Sequence, residues 1–269
     1  MRSPKKKANV AIIGGTGFED LLKEARQIRI GTPYGLPPPI YIGKIDEKPI
    51  AFLPRHGTHH SIPPHKVSYQ ANVYALNQLG VERIIATNAV GAINMKLSPG
   101  DLVVPHDLVD FTKFRRSTFY DDAPVTHVDV SQPYCPEIRR SLIKAAKRRD
   151  VGVWDRAVFV CTEGPRYETP AEIGMLKRLG CDIVGMTGAP EAVLARELEI
   201  CYATLCFVSN MAAGMQERLT ASEVAGVAEE RMPVIRQILR EAMKDLPEER
   251  GCPCAHALED ARLRRSTDA

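Results

Sequence analysis

The chain has 269 residues, 44% of them hydrophobic, and a formal net charge of +3, enough apolar material for one large α/β domain or two small ones fused tightly. No apolar run approaches the ~18 residues that span a bilayer, and the run 10–13 behind the basic start is too short for a signal-peptide core. Lysine and arginine are scattered among acidic residues, so the composition points to a cytoplasmic protein of small-molecule chemistry and away from nucleic acid and membranes.

Residues 9–13 form an apolar run closing on Gly14-Gly15-Thr16-Gly17, a strand feeding a glycine turn. Residues 50–53 end in the same way on Pro54-Arg55-His56-Gly57. A helix is predicted over 67–79, stopped by Gly80, followed by a strand at 83–87 that ends in Asn88-Ala89-Val90-Gly91. Short strands are expected at 102–105 and 158–161, and a helix at 170–179 with proline in its first turn and Gly180 after its end. Then come a strand at 183–186, a helix at 190–199, and a long apolar strand at 201–209. The last helix, 222–246, is expected to be capped by Ser222 and broken or entered anew around Pro233. Strands alternating with helices argue for an α/β fold with a parallel or mixed sheet covered on both faces. The organisation is read as a basic extension over 1–8, one domain over 9–246, and a polar tail over 247–269.

Ligands collect at the carboxyl ends of strands in such sheets. Here several strands end in segments rich in Gly, Thr, Asn, Arg or His, so a polar pocket is expected among those ends. The turn at 14–17 is not a dinucleotide fingerprint, because acidic Glu19 and Asp20 stand where the third glycine belongs, and no Gly-Lys-Ser/Thr follows to make a P-loop. It suits a single phosphate, through backbone N–H groups and one hydroxyl; a plain tight turn fits as well. Arg55-His56 adds a fork of donors and an imidazole. His56, His59, His60 and His65 invite a metal, but the fixed cation of Arg55 beside them repels one, and no metal is expected there. Of the seven cysteines, Cys161, Cys181, Cys201 and Cys206 read as small buried hydrophobes. Cys252-Pro253-Cys254 reads as two thiols near a solvated end or as a disulfide; a zinc site is disfavoured because one residue intervenes and no second pair follows.

Several motifs together resemble one family. Gly14-Gly15-Thr16-Gly17, Arg55-His56-Gly57, the stretch from Lys66 to Asn72, Thr87-Asn88-Ala89-Val90-Gly91-Ala92, and Glu163-Gly164-Pro165-Arg166-Tyr167-Glu168-Thr169 are similar to the trimeric purine nucleoside phosphorylases and methylthioadenosine phosphorylases. Gly185-Met186-Thr187 followed by Pro190-Glu191 adds to the resemblance, which runs in order from about Asn9 to Val224. It implies a central mixed sheet surrounded by helices, a homotrimer or dimer of trimers, and active sites near subunit interfaces. It further implies that Thr16, Arg55, His56, Asn88, Thr187 and the backbone of Ala89 hold phosphate, which is a co-substrate, and that no cofactor is needed. Met186 would pack on the ribose, Tyr167 would stack on base or sugar, and His127 would serve a neighbouring subunit's site near the sugar's 5′ end. His56 and Asn210 are the expected catalytic groups.

The base pocket departs from the methylthioadenosine branch. That branch carries two aspartates in a Thr-Asp-x-Asp segment and a serine after the aromatic residue of the Glu-Gly-Pro-Arg motif; here stand Ser209-Asn210-Met211-Ala212 and Glu168. A 6-oxopurine presents an acceptor at O6 and a donor at N1–H, and a 6-aminopurine reverses both. The Asn210 amide suits O6 or N7, and the Glu168 carboxylate suits N1–H, so a 6-oxopurine leaving group is expected. Glu168, Asn210 and Ala212 are then the base-specificity residues. The resemblance further implies that Ala221 and Val224 line the 5′ end, where inosine, guanosine and 5′-methylthioinosine all remain open. The rival readings are a methylthioadenosine phosphorylase, a non-catalytic nucleoside-binding protein, and a nicotinamide dehydrogenase, the last opposed by Glu19 and Asp20.

Overall fold

The computed structural model describes residues 7–15 and 21–262, the side chains of His59 and Ala221 excepted. The first half runs β1 (Val10–Gly14), β2 (Lys23–Ile28), β3 (Ile40–Ile45), β4 (Lys48–Pro54), α1 (Tyr69–Gln78) and β5 (Arg83–Ala92). There follow β6 (Leu102–Val103), β7 (Asp107–Phe111), α2 (Pro136–Arg148), β8 (Val153–Trp154) and β9 (Val158–Thr162). The last part is α3 (Pro170–Arg178), β10 (Ile183–Gly185), α4 (Gly188–Glu197), β11 (Cys201–Met211) and α5 (Ala221–Asp245).

Among the described residues these strands form one mixed sheet, ordered β2-β3-β4-β1-β5-β10-β9-β7, with β11 also paired to β5 and carrying β6 and β8 on its other edge. β5 and β11 run parallel over almost their full lengths. Nearly every side chain of both is buried, which is why they read as continuous apolar runs instead of alternating ones. Helices α1 and α4 pack on each other, as do α2 and α5, and α4, α2 and α5 all rest on β11. The expected single α/β domain with a mixed sheet is what the chain forms.

One detail of the sheet makes the site. β1 pairs with β5 only as far as Ala86, and β10 joins the same edge of the ladder only at Gly91. Between them, from Thr87 to Val90, that edge of β5 has no strand beside it among the described residues. On the other side β11 bulges at Ser209, between Val208 and Asn210, and a bulge of this kind re-aims the side chains that follow it.

Some expectations are corrected. The last helix is capped by Thr220, whose hydroxyl accepts from the Glu223 N–H at 3.2 Å, and not by Ser222. Pro233 does not break it: α5 continues through, losing only the hydrogen bond that the Glu229 carbonyl would have accepted. As far as residue 262, the segment behind α5 is not a solvated tail. Leu246, Cys252 and Cys254 join the main core, Gly251 N–H donates to Glu137 at 2.8 Å, and Arg250 donates to the Glu199 carbonyl at 2.6 Å. At the other end Ala8 is buried in the same core, so part of the presumed basic extension belongs to the domain.

Candidate functional site

The gap in the sheet opens into a cavity of about 850 Å³. The ends of β4, β5, β10 and β11, the loop before α3, and one face of α5 line it. The sequence-predicted residues Arg55, His56, Asn88, Ala89 and Thr187 all reach it. So do Tyr167, Glu168, Met186, Asn210, Ala212 and Val224. Thr16 lies outside the described residues and the Ala221 side chain is not described, whereas Gly15 borders the cavity. His127 is exposed and is absent from the lining; its backbone N–H donates to the Ala261 carbonyl at 2.8 Å.

Arg55 follows β4 directly and is 2% exposed. Its guanidinium grips Glu191 of α4 with two nitrogens, Nε to Oε1 and Nη2 to Oε2, the latter at 2.9 Å. Nη1 donates to the Thr87 carbonyl at 3.0 Å. Three of the five N–H groups of an arginine are therefore spent on the protein, and two remain for a ligand. Glu191 is fully buried and also accepts from the Tyr202 hydroxyl at 2.8 Å. This buried pair, raising the Arg55 pKa above its ordinary value despite desolvation, fixes a permanent positive charge at the cavity wall. The Thr87 carbonyl points into the gap, and by strand alternation the Ala89 N–H points the same way. The side chain of Ala89 offers nothing polar, but its backbone does.

Asn88 and Thr187 are fixed as a chain. The Thr187 hydroxyl donates to Asn88 Oδ1 at 2.6 Å, and Asn88 Nδ2 donates to Thr204 Oγ1 at 2.8 Å. Thr187 stands at the N-cap of α4, yet its hydroxyl turns to Asn88 instead of capping the helix.

His56 Nδ1 lies 2.8 Å from the Ile62 carbonyl oxygen. A carbonyl can only accept, so Nδ1 carries the proton and Nε2 of the neutral ring is an acceptor. Burial first, and then the charge of Arg55, lower the His56 pKa to about 4. The neighbouring ring of His60 stacks on it at 4.3 Å and is shifted the same way. The sign for stability follows: the unfolded chain binds this proton near pH 6.5 and the folded chain only near pH 4, so stability drops as pH falls through that window. Without phosphate, the wild type is expected to lose up to about 3 kcal/mol more than a His56→Gln variant between pH 6.5 and 4. Urea unfolding at several pH values measures this, and parallel curves for the two proteins would show that His56 titrates normally.

At the other end of the cavity, Glu168 Oε1 accepts from the Thr162 hydroxyl at 2.6 Å, leaving Oε2 available. Asn210 Oδ1 accepts from the Ser209 hydroxyl at 2.6 Å, and Nδ2 donates to the Met211 carbonyl at 2.8 Å. That pairing sets the amide orientation and leaves one N–H of Nδ2 unspent. Tyr167 is 40% exposed at the rim. Met186 packs over Gly164, which has φ +66°; a Cβ there would come 2.6 Å from the Met186 sulfur, so both backbone and space require glycine. The wall that α5 supplies carries apolar Val224, Ala225, Ala228 and Met232, with Glu229, Pro233 and Arg236 among them.

Sequence reasoning missed the residues that hold these groups. Glu191 was quoted in a motif without a role, although a carboxylate in a helix of apolar neighbours is a signal of a buried partner. Arg115 was not singled out: it donates to the Met186 carbonyl, to Tyr69 Oη at 2.8 Å and to the Thr162 carbonyl at 3.3 Å, and lies 5.1 Å over the Tyr69 ring. It ties the loop before α3 to the strand that carries Met186, and nothing in its local sequence marks it.

The sequence profile described as the Phosphorylase superfamily matches residues 9–244. A probable S-methyl-5′-thioinosine phosphorylase of Methanothermobacter thermautotrophicus is 51% identical over 256 residues, covering 94% of this chain and 89% of the relative. A 6-oxopurine nucleoside phosphorylase of Pyrococcus furiosus is 49% identical over 261 residues, covering 94% and 98%. Among solved structures, a methylthioadenosine phosphorylase from an antarctic soil metagenomic library superposes with a TM-score of 0.92 at 36% identity, covering 97% of this chain and 94% of that one.

Proposed function

The chain belongs to the Phosphorylase superfamily, and from that premise we propose that it cleaves 6-oxopurine nucleosides by phosphorolysis, yielding free base and ribose 1-phosphate in purine salvage. The observation that carries this reading is the polar pattern at the base end of the cavity. Glu168 has one carboxylate oxygen held by Thr162 and one available to accept N1–H. Asn210 has one amide N–H left to donate to O6 or N7. An adenine would set its N1 lone pair against the same carboxylate, a repulsion with no partner.

The phosphate end does the rest. The two unspent N–H groups of Arg55, the Ala89 N–H and the second Nδ2 N–H of Asn88 hold the anion, with Thr187 beside it fixing the Asn88 amide and Thr16 as a further expected donor. Neutral His56 accepts the O–H of monohydrogen phosphate through Nε2. A phosphate oxygen attacks the anomeric carbon, the bond to N9 breaks, and its electron pair leaves on the purine, which then takes up one proton from solvent as the new phosphate ester gives up its own. Positive charge gathering on the sugar is met by the phosphate, and negative charge on the base by Asn210. Positioning both reactants in one cavity supplies much of the acceleration, with phosphate as the nucleophile and no cofactor in the step. In this reading the enzyme is cytoplasmic and works as a homotrimer or dimer of trimers. His127, exposed and away from its own cavity, then serves the 5′ end of a neighbour's substrate.

The α5 wall favours a particular substrate within the class. Near the start of α5, Val224, Ala225, Ala228 and Met232 suit a methylthio group better than a hydroxyl, while Glu229 and Arg236 on the same helix add charge to the wall. Release of free base from inosine, 5′-methylthioinosine and methylthioadenosine, with and without phosphate, tests both levels. Phosphate-dependent release from the two inosines, faster from the methylthio form, is the expected result. Faster turnover of methylthioadenosine would overturn the base assignment, and phosphate-independent release would overturn phosphorolysis.

A further inference from the structure

Four cysteines meet far from this cavity. Cys135 precedes α2, Cys201 opens β11, and Cys252 and Cys254 flank Pro253 in the turn behind α5. All four are buried, and their sulfurs lie within 4.8 Å of one another. Cys252 Sγ is 3.3 Å from that of Cys201 and 3.6 Å from that of Cys135. Disulfide sulfurs stand about 2.05 Å apart. Four thiolates around one tetrahedral ion, with bonds of about 2.3 Å, stand roughly 3.8 Å apart. The two distances are those of ligands around an ion, and Cys252 stands at that spacing from both Cys135 and Cys201, so it is not singled out as the disulfide partner of either.

The surroundings supply a counter-charge. Zinc held by four thiolates carries a net charge of −2, which needs compensation in a dry interior. Arg83 on β5 is the register partner of Cys201, so the two residues share a sheet face. Its side chain is buried, and its Nε and Nη2 find no hydrogen-bond partner among the described residues. Nη1 reaches the Glu248 carbonyl at 3.5 Å, in the segment that leads to Cys252. A buried guanidinium with idle donors beside four thiols is otherwise a cost without return.

We propose that Cys135, Cys201, Cys252 and Cys254 form a closed tetrahedral thiolate site for zinc that fastens the C-terminal segment to the start of β11 and to α2. This reverses the expectation from Cys252-Pro253-Cys254 alone, which lacked its second pair because Cys135 and Cys201 are supplied by distant parts of the chain. Binding releases the four thiol protons to solvent and leaves the ion no open position, so the site is structural. Asn210 lies near the far end of the strand that Cys201 opens, roughly 30 Å away at about 3.3 Å per residue, and the site is independent of the reaction proposed above. The fastened segment also carries Ala261, whose carbonyl holds the His127 N–H.

The test is metal analysis of protein purified under reductant without added chelator. One zinc per chain is expected, with all seven cysteines titrating as free thiols once the protein is denatured with a chelator. Cobalt(II) exchanged into the site should give the intense sulfur-to-metal absorption and visible bands of a tetrahedral thiolate complex. A Cys252→Ser/Cys254→Ser double variant should lose the zinc. Metal-free protein with seven thiols would overturn the proposal, as would a disulfide among the four in non-reduced peptides, or zinc retained by the double variant. The wild-type metal content decides the matter even if that variant fails to fold.

Discussion

Replacing Arg55 with methionine is expected to destabilise the protein by about 3–5 kcal/mol, because it leaves the fully buried Glu191 without its cation. It is also expected to lower kcat/KM by at least about 10²–10³-fold, the usual loss when one donor to a developing charge is removed. The two effects have different origins and can be separated. In the double variant Arg55→Met/Glu191→Gln the uncompensated carboxylate is gone, and glutamine still offers Tyr202 an acceptor. Most of the lost stability should return, since a buried ion pair replaced on both sides by neutral groups is often close to neutral. Activity should not return, because the donors facing phosphate are still missing. Chemical unfolding and phosphate-dependent kinetics on the wild type and both variants make the comparison. Recovery of activity together with stability would mean that Arg55 is only a strut for α4 and that phosphate is held elsewhere.

The same pair shows where sequence reading stops. Arg55 was legible because it ends a strand, next to a titratable ring, at the edge where ligands collect. Glu191 lies 136 residues further on, and only the folding that brings α4 to Arg55 reveals its purpose. The central strands were legible for a simple reason: burial on both faces makes β5 and β11 unbroken apolar runs. β2 was not, because an exposed edge strand reading Lys-Glu-Ala-Arg-Gln-Ile gives no such run. α2 was passed over although Ile138, Leu142 and Ala145 stand at helical spacing on its buried face. That signal lies in the periodicity of the helix and not in any continuous apolar stretch. The cysteines divide in the same way. Cys161 and Cys206 are the buried small residues they were read as, while Cys135 and Cys201 acquire a different meaning only when the chain end folds back onto them.

Changing the base pocket is expected to produce the second large effect, a shift in substrate preference of about three powers of ten. In the wild type the unspent Asn210 N–H suits the O6 acceptor of a 6-oxopurine, and the free oxygen of Glu168 suits N1–H. Asn210→Asp keeps the size and the Ser209 hydrogen bond, loses the one to the Met211 carbonyl, and replaces the donor toward the base with an acceptor, which faces O6 as a repulsion. The same oxygen accepts from the 6-amino group of adenine. Ala212, buried at the cavity wall beside Gly91, is close enough to extend this reversal, so Asn210→Asp/Ala212→Asp is the stronger variant. Turnover of 5′-methylthioinosine should fall about 10²–10³-fold, since a buried polar group left facing the wrong partner loses several kcal/mol. Turnover of methylthioadenosine should rise or hold, limited by Glu168, whose carboxylate still opposes the adenine N1. Adding Glu168→Gln removes that opposition, because an amide can turn its N–H toward N1, and should complete the reversal. The ratio of kcat/KM for the two nucleosides, followed across the series, reads the result free of any general loss of stability. A ratio that stays at its wild-type value through all three substitutions would mean that the base binds elsewhere in the cavity.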